Sequence, residues 1–268
     1  MVGASEGGAL LSLRGLSKSF GPVRALTQVD LDLYPGHVTA LAGDNGAGKS
    51  VLIKTVAGLW PPDEGELFWE GRRVHVHSPR DAEALGITII YQDLALCDNL
   101  DIVQNMFLGH ERRRMGLLDE TSMEKTARKT LEALQVTTIR SIRQPVESLS
   151  GGQRQSVAVA KAVMANARLV IMDEPTAALG VTQTRMVLDL IHRLAEQGVA
   201  VMVVSHNLND VFEVADRIAI LHLGRLAAAG DIIEFDRARV VDYMTSGTSE
   251  RSVGNGRRPE APAEERGS

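Results

Sequence analysis

The octapeptide Gly43-Asp44-Asn45-Gly46-Ala47-Gly48-Lys49-Ser50 constrains this chain more tightly than any other stretch. It lies between an apolar run, Val38 to Ala42, and a segment of helical character, Lys49 to Ala57. The pattern is G-x-x-x-x-G-K-[ST]. Glycines let the backbone curl so that successive N–H groups point inward and form a cradle for phosphate oxygens. The helix that starts near Lys49 adds its positive end. Lys49 is then placed to neutralise the charge of the outer phosphates, and the Ser50 hydroxyl to ligate Mg²⁺. Val51 follows in the same helical turn, so Gly43 to Val51 is the expected contact segment for ATP. An ordinary glycine-rich turn is the bland alternative, and the strand before and helix after argue against it.

A second signal is Leu169-Val170-Ile171-Met172-Asp173-Glu174, four apolar residues ending in two carboxylates. In a parallel sheet this puts both acids at the carboxyl end of a strand, the edge where ligands bind. Asp173 is suited to hold Mg²⁺ through a water, and Glu174 to orient or deprotonate an attacking water. Acids often follow buried strands, so the signal is weak alone. Behind a phosphate loop it becomes specific.

The rest of the chain supplies the frame. Leu10 to Leu16 and Val29 to Tyr34 alternate as strands, and Leu67 to Val76 reads as a hairpin around Glu70-Gly71. Ser78-Pro79 opens a short helix that stops near Gly86, before the buried strand Ile87 to Tyr91. From Leu100 to Gln144 the pattern is helical, with a basic patch at Arg112 to Arg114 and a helical run from Ser122 to Leu134. After Gly152, helices alternate with the strands Leu169 to Met172, Ala200 to Val204 and Arg217 to His222. This alternation predicts an α/β fold, a parallel sheet covered on both faces and split by a helical insert.

Leu149-Ser150-Gly151-Gly152-Gln153 precedes a helix running through Ala165, and taken alone is an N-cap serine with a flexible turn. Ser-Gly-Gly-Gln, followed about twenty residues later by a strand ending Asp173-Glu174-Pro175, resembles the ATP-binding cassette (ABC) ATPases. The Gly43 loop, Gln92 after the strand Ile87 to Tyr91, and His206 after Ala200 to Val204 fall where that family has functional residues. The likeness covers roughly Leu11 to Gly230.

That resemblance implies a P-loop NTPase (RecA-like) core with an N-terminal antiparallel β-subdomain and an inserted α-helical subdomain. The implied boundaries are 9–245 for the ATPase domain, with 9–92 and 153–245 as core and 93–152 as helical subdomain. It implies that Ser150, Gly151, Gly152 and Gln153 cover the γ-phosphate held by a second copy, so that two chains sandwich two ATPs head to tail. By resemblance Gln92 touches Mg²⁺ and the attacking water, and His206 contacts the γ-phosphate and steadies Glu174. Phe20, in Ser17-Lys18-Ser19-Phe20-Gly21, occupies the place of the aromatic that stacks on adenine. Without the family, Gln92 reads as a polar strand end, His206 as a cap or core residue, and Phe20 as core.

One departure stands out. Most of the family continues to Ser-Ala-Leu-Asp, whose aspartate crosses the dimer interface; here the segment is Ala177-Ala178-Leu179-Gly180. This segment, with Gly43-Asp44-Asn45, Tyr91-Gln92-Asp93-Leu94-Ala95-Leu96 and Asn105-Met106-Phe107-Leu108-Gly109, looks like the simple-sugar branch of bacterial importers. The sequence carries one cassette and resembles the shorter, fructose- or xylose-type components. The branch implies two membrane permease subunits, contacted by the passage after Gln92, and indirectly an extracytoplasmic sugar-binding protein. That passage is apolar enough, with Leu94, Leu96, Leu100, Ile102, Met106, Phe107 and Leu108, to form both a small core and a docking groove, most of these residues reading as core. An importer of another cargo, and a soluble non-transport ABC ATPase, are the alternatives; the latter usually carries two cassettes or a coiled-coil insert.

Bulk properties agree. A net charge of −5 gives no broad attraction to nucleic acid. The most apolar stretch, Gly198 to Val204, falls far short of the roughly 18–20 residues of a spanning helix, and Met1 to Gly8 lacks the character of a secretory signal. Cys97 is the single cysteine, so no internal disulfide forms. The expected place is therefore the cytoplasmic face of the plasma membrane, peripherally attached. Gly3 to Gly8 and residues 246–268 read as disordered ends.

Overall fold

A computed structural model describes residues 8–248. The chain opens with a long hairpin of β1 (Leu11–Phe20) and β2 (Val23–Leu33). Leu11 faces Leu33 and Leu13 faces Leu31 across it, so alternate residues at this end present leucines to the interior, and the register shifts between Leu13 and Leu16. The turn at Pro35-Gly36 then feeds β3 (Val38–Ala42), whose five residues are all buried, and the Gly43 loop leads into α1 (Lys49–Val56). The hairpin of β4 (Glu64–Trp69) and β5 (Arg72–Val74) turns at Glu70-Gly71 as expected. It completes a four-stranded antiparallel sheet of order β2-β1-β4-β5. The short α2 (Pro79–Ala84), capped by Ser78, delivers the chain to β6 (Ile87–Ile90).

The insert follows. It contains α3 (Ile102–Phe107), a two-stranded hairpin of β7 (Arg113–Arg114) and β8 (Leu117–Leu118), and α4 (Glu120–Ala133). The sequence pattern predicts helix throughout this stretch; the β7–β8 hairpin departs from it because Met115-Gly116 takes positive φ at both positions, a tight turn no helix accommodates. α5 (Gly151–Met164) returns the chain to β9 (Leu169–Asp173). Then come α6 (Val181–Glu196), β10 (Ala200–Val204), α7 (Leu208–Val214), β11 (Arg217–His222), β12 (Arg225–Asp231) and α8 (Arg237–Ser246).

The main sheet has the order β12-β11-β3-β10-β9-β6, parallel except for β12. One face, with Leu41, Ile171, Met202 and Val204, packs on α1 and the antiparallel sheet through Leu52, Ile53, Leu11 and Trp69. The other face, with Val170, Met172, Val201 and Val203, meets Val157, Leu188 and Ile191 of α5 and α6. That second core runs without a break into Ile102, Met106, Met123, Leu131 and Leu149 of the insert. At the sheet's edge Ala40, Ala42, Ile218 and Ile220 pack on Val211 and Val240 of α7 and α8.

β12 and α8 lie beyond the expected last strand. β12 is alanine-rich and polar, with little strand propensity, and is held by pairing to β11. α8 carries the fold past Met244 through Ser246, where Gly247 caps it at φ 73°, so the expected disorder does not begin at residue 246. The expectations for Gly3 to Gly7 and for residues 249–268 lie outside the described residues. No helix among the described residues is long and apolar enough to cross a membrane.

Candidate active site

The Gly43 loop sits where β3 ends and α1 begins, braced from behind by the antiparallel sheet. Gly48 takes φ 105°, and a Cβ there would lie 2.7 Å from the Ala25 carbonyl oxygen of β2, so no other residue fits. Gly224 ties the two together: its N–H donates to the Ala47 carbonyl at 2.9 Å, and its carbonyl accepts from Thr27 N at 2.8 Å. Inside the loop, Lys49 Nζ donates to the carbonyls of Gly43 (2.6 Å) and Asp44 (3.0 Å). The ammonium is thereby held across the mouth of the cradle.

A cavity of about 520 Å³ opens over this loop. Asn45, Gly46, Ala47, Gly48, Lys49, Ser50 and Val51 form its floor, and Gln92, Asp173 and Glu174 complete one wall. Residues separated by more than a hundred positions thus meet at the carboxyl ends of β3, β6 and β9. Val23, Arg24, Ala25, Leu223 and Gly224 also line it, and none of them stands out in the sequence. Leu223 and Gly224 form a turn with both φ positive.

Glu174 sits just past β9 with φ 49°, its N–H donating to the Val204 carbonyl at 2.8 Å. This turns its side chain out of the strand toward β10. His206 Nδ1 lies 2.7 Å from Glu174 Oε1. A carboxylate only accepts, so the imidazole donates through Nδ1 and keeps Nε2 for a ligand. Two residues invisible in the motif reading hold this corner: buried Thr176 donates its hydroxyl to Asp210 Oδ2 at 2.6 Å, clamping the turn after Glu174 to α7. Burial, and the neighbouring Glu174, push the Asp173 carboxyl above its ordinary pKa, with Lys49 and Lys54 pulling the other way. Tyr91 is likewise raised, by burial and then by Asp173.

Ser50, Gln92 and Asp173 bring a hydroxyl, an amide and a carboxylate to one cavity. Oxygen donors of this kind fit Mg²⁺, which takes few protein ligands and completes its shell with water and phosphate. No cluster of His, Cys, Asp and Glu sufficient to hold a metal by itself occurs among the described residues.

Phe20 stands apart. It is 41% exposed at the end of β1, edge-on to Trp60 at 4.8 Å, and does not line the cavity. That exposure removes the reading of Phe20 as core. Ser150 caps α5 in a reciprocal box: Gln153 Oε1 accepts from Ser150 N at 2.9 Å, while Ser150 Oγ accepts from Gln153 N at 3.4 Å. Gly151 lets the turn before α6 approach and Gly152 lets α6 itself approach, since a Cβ on Gly151 would meet Leu179 at 2.6 Å and one on Gly152 would meet Gln183 at 3.3 Å. Ser150, Gly151, Gly152 and Gln153 do not line the cavity that Lys49 lines in the same chain.

The family model for ABC transporters matches residues 26–177. The chain belongs to the ABC transporter family. A fructose import ATP-binding protein of Rhizobium meliloti is 48% identical over 243 residues, 88% of this chain and 94% of that protein. A xylose/arabinose import ATP-binding protein of Sulfolobus acidocaldarius is 46% identical over 237 residues, again 88% and 94%. Among solved structures, an ATP-binding cassette in its ADP conformation superimposes with a TM-score of 0.76 at 24% identity, covering 89% of this chain and 96% of that one. A dimeric cassette in a post-hydrolysis state, bound to ADP and phosphate, gives 0.68 at 25%, covering 83% and 98%. The fold is that of the P-loop NTPase cassettes.

Proposed function

We propose that this chain is the ATP-hydrolysing subunit of an importer of a simple sugar. The observation that carries hydrolysis is Glu174, which lines the cavity that Lys49 floors and is held 2.7 Å from His206, itself outside that lining. In this reading the Gly43 loop wraps the phosphates, and Lys49 exchanges the Gly43 and Asp44 carbonyls for phosphate oxygens. Glu174 accepts the proton of the attacking water, while His206 fixes the carboxylate and meets the γ-phosphate through Nε2. Ser50, Asp173 and Gln92 would hold Mg²⁺, which when bound would supply charge neutralisation of the phosphates. Phe20 reaches the adenine only from the rim, with Trp60 behind it.

A complete site takes a second copy. Each chain presents the α5 N-terminus, Ser150 to Gln153, on a surface separate from its own Lys49, which supports a two-fold, head-to-tail pairing in which each copy completes the other's site. The dimeric relative bound to ADP and phosphate is consistent with this. Gly180 begins α6 without a side chain, so the usual aspartate bridge between copies is absent from that pairing.

Support for the transport role comes from a groove of about 510 Å³ between the core and the insert, lined by Leu94, Met106, Phe107 and Ala158. Tyr91, next to Gln92, also lines it, so a permease segment seated there would feel a change at Gln92. The sugar assignment rests on the two end-to-end relatives whose names are fructose and xylose/arabinose import ATP-binding proteins. The expected setting is the cytoplasmic face of the membrane, with two permease subunits and an external binding protein delivering the sugar. Reconstituting the chain with its permease tests this: ATPase activity should rise when sugar-loaded binding protein is added. Activity indifferent to the permease would overturn the transport reading in favour of a soluble ABC ATPase.

A further inference from the structure

The β7–β8 hairpin buries nothing. Residues 111–118 are all exposed, with Met115 at 97%, Leu117 at 76% and Leu118 at 52%. Its root is fixed: Arg112 donates to Ser122 Oγ (3.0 Å) and Thr126 Oγ1 (2.9 Å) and lies over the Phe107 ring. Asp119 N donates back to the Arg112 carbonyl at 2.8 Å and closes the loop. Beyond that root, Arg113 pairs with Leu118 and Arg114 with Leu117, and neither guanidinium has an ion-pair or hydrogen-bond partner among the described residues. A two-stranded hairpin of this size has little stability of its own, and its three large apolar side chains gain nothing from the rest of the fold. Of the two cations, Arg113 is close enough to Glu111 to act on its carboxyl, while Arg114 has no ion-pair or hydrogen-bond partner among the described residues.

We propose that this hairpin is a membrane-surface anchor, which inserts Met115 and Leu117 among lipid headgroups while Arg113 and Arg114 engage anionic phospholipid. An apolar tip flanked by arginines is the composition of an interfacial anchor. Two arginines so placed also stand out in a chain of net charge −5. The alternative occupant is a cytoplasmic loop of the permease. Such loops carry an excess of Lys and Arg, which would repel the hairpin, whereas the cytoplasmic leaflet is anionic and attracts it. Position agrees, because His110 and Arg112 at the hairpin's root also line the groove assigned above to the permease. That chain-beside-membrane setting rests on the proposed transport role; the affinity for lipid belongs to this chain by itself.

The test uses the purified full chain without permease, floated with vesicles of phosphatidylcholine alone or with phosphatidylglycerol added. Binding is expected to the anionic vesicles only and to weaken with salt. At about a fivefold effect for each arginine, Arg113→Gln with Arg114→Gln should weaken binding about 25-fold. Met115→Ser with Leu117→Ser should lower it as well, with basal ATPase activity and melting temperature unchanged in both variants. Absence of binding to anionic vesicles, or equal binding by the variants, overturns the anchor. So does a loss in the Arg113/Arg114 variant confined to permease-stimulated ATPase activity, which would make the hairpin a protein-docking element. Permease stimulation of the unaltered chain is measured alongside, so the transport reading stands or falls separately.

Discussion

His206 Nδ1 lies 2.7 Å from Glu174 Oε1, although the two residues come from turns after different strands. The contact exists because β9 and β10 are parallel neighbours, with Asp173 opposite Val204, so the residues following each strand emerge side by side. Glu174→Gln keeps the shape and removes the proton acceptor. Hydrolysis should fall by roughly 10²- to 10⁴-fold, the range expected for a general base. ATP binding should persist, and gel filtration should show a trapped dimer. Turnover at the normal rate would remove Glu174 from the role of base. His206→Ala should cost less, about ten- to a hundredfold, as one charge-assisted hydrogen bond is lost.

Lys49 makes two hydrogen bonds to its own loop, so its removal affects both the loop and the ligand. Lys49→Ala should weaken ATP binding by roughly ten- to a hundredfold, the worth of a hydrogen bond to a charged group. Fluorescent-nucleotide titration reads this directly. A dissociation constant equal to that of the unaltered chain would count against the phosphate-loop assignment.

Asp173 gives a prediction about pH. Burial and the adjacent Glu174 raise its pKa in the folded chain. The folded state therefore holds this proton more tightly than the unfolded state, and stability falls as pH rises through the window between the two pKa values. The cost is fully present above that window and absent below the ordinary carboxylate range. Asp173→Asn removes it, so the nucleotide-free variant should melt at a higher temperature than the parent at neutral pH. The gain should shrink as the pH is lowered into the acid range. The same variant should lose Mg²⁺-dependent hydrolysis. A variant less stable than the parent at neutral pH would show that the carboxylate is stabilising where it sits.

The legible parts of this protein are those whose chemistry is local. The Gly43 loop, the Leu169 to Glu174 strand end and the Ser150 cap each announce themselves within eight residues, because backbone curvature, strand burial and capping are short-range. β12 was illegible for the opposite reason: its alanines form a strand only because β11 presents an open edge. The β7–β8 hairpin hid in a helical stretch, since a Met-Gly turn lacks the usual Asn-Gly or Asp-Gly signature. Thr176 and Asp210, 34 residues apart, meet only once α7 is packed, and no spacing rule foretells that bond. Phe20 shows the limit of motif placement: its position along the chain is readable, whereas its edge-on contact with Trp60 and its place outside the cavity lining depend on how the β1–β2 hairpin folds.

The separation of Lys49 and Ser150 within one chain makes the strongest prediction. If each nucleotide lies between Lys49 of one copy and Ser150 of the other, Lys49→Ala and Ser150→Ala homodimers each have two damaged sites. In a mixed dimer the damage falls on one site: the Lys49→Ala chain supplies an intact Ser150 to the other chain's intact Lys49. Mixing equal amounts of the two variants should therefore restore activity that neither shows alone. Random pairing makes half the dimers mixed, and each has one sound site of two, so about a quarter of the unaltered rate is expected for independent sites. The assay is steady-state phosphate release at a fixed total protein concentration. Rates that merely average the two inactive variants would mean that both half-sites act within one chain, and the head-to-tail arrangement would have to be abandoned.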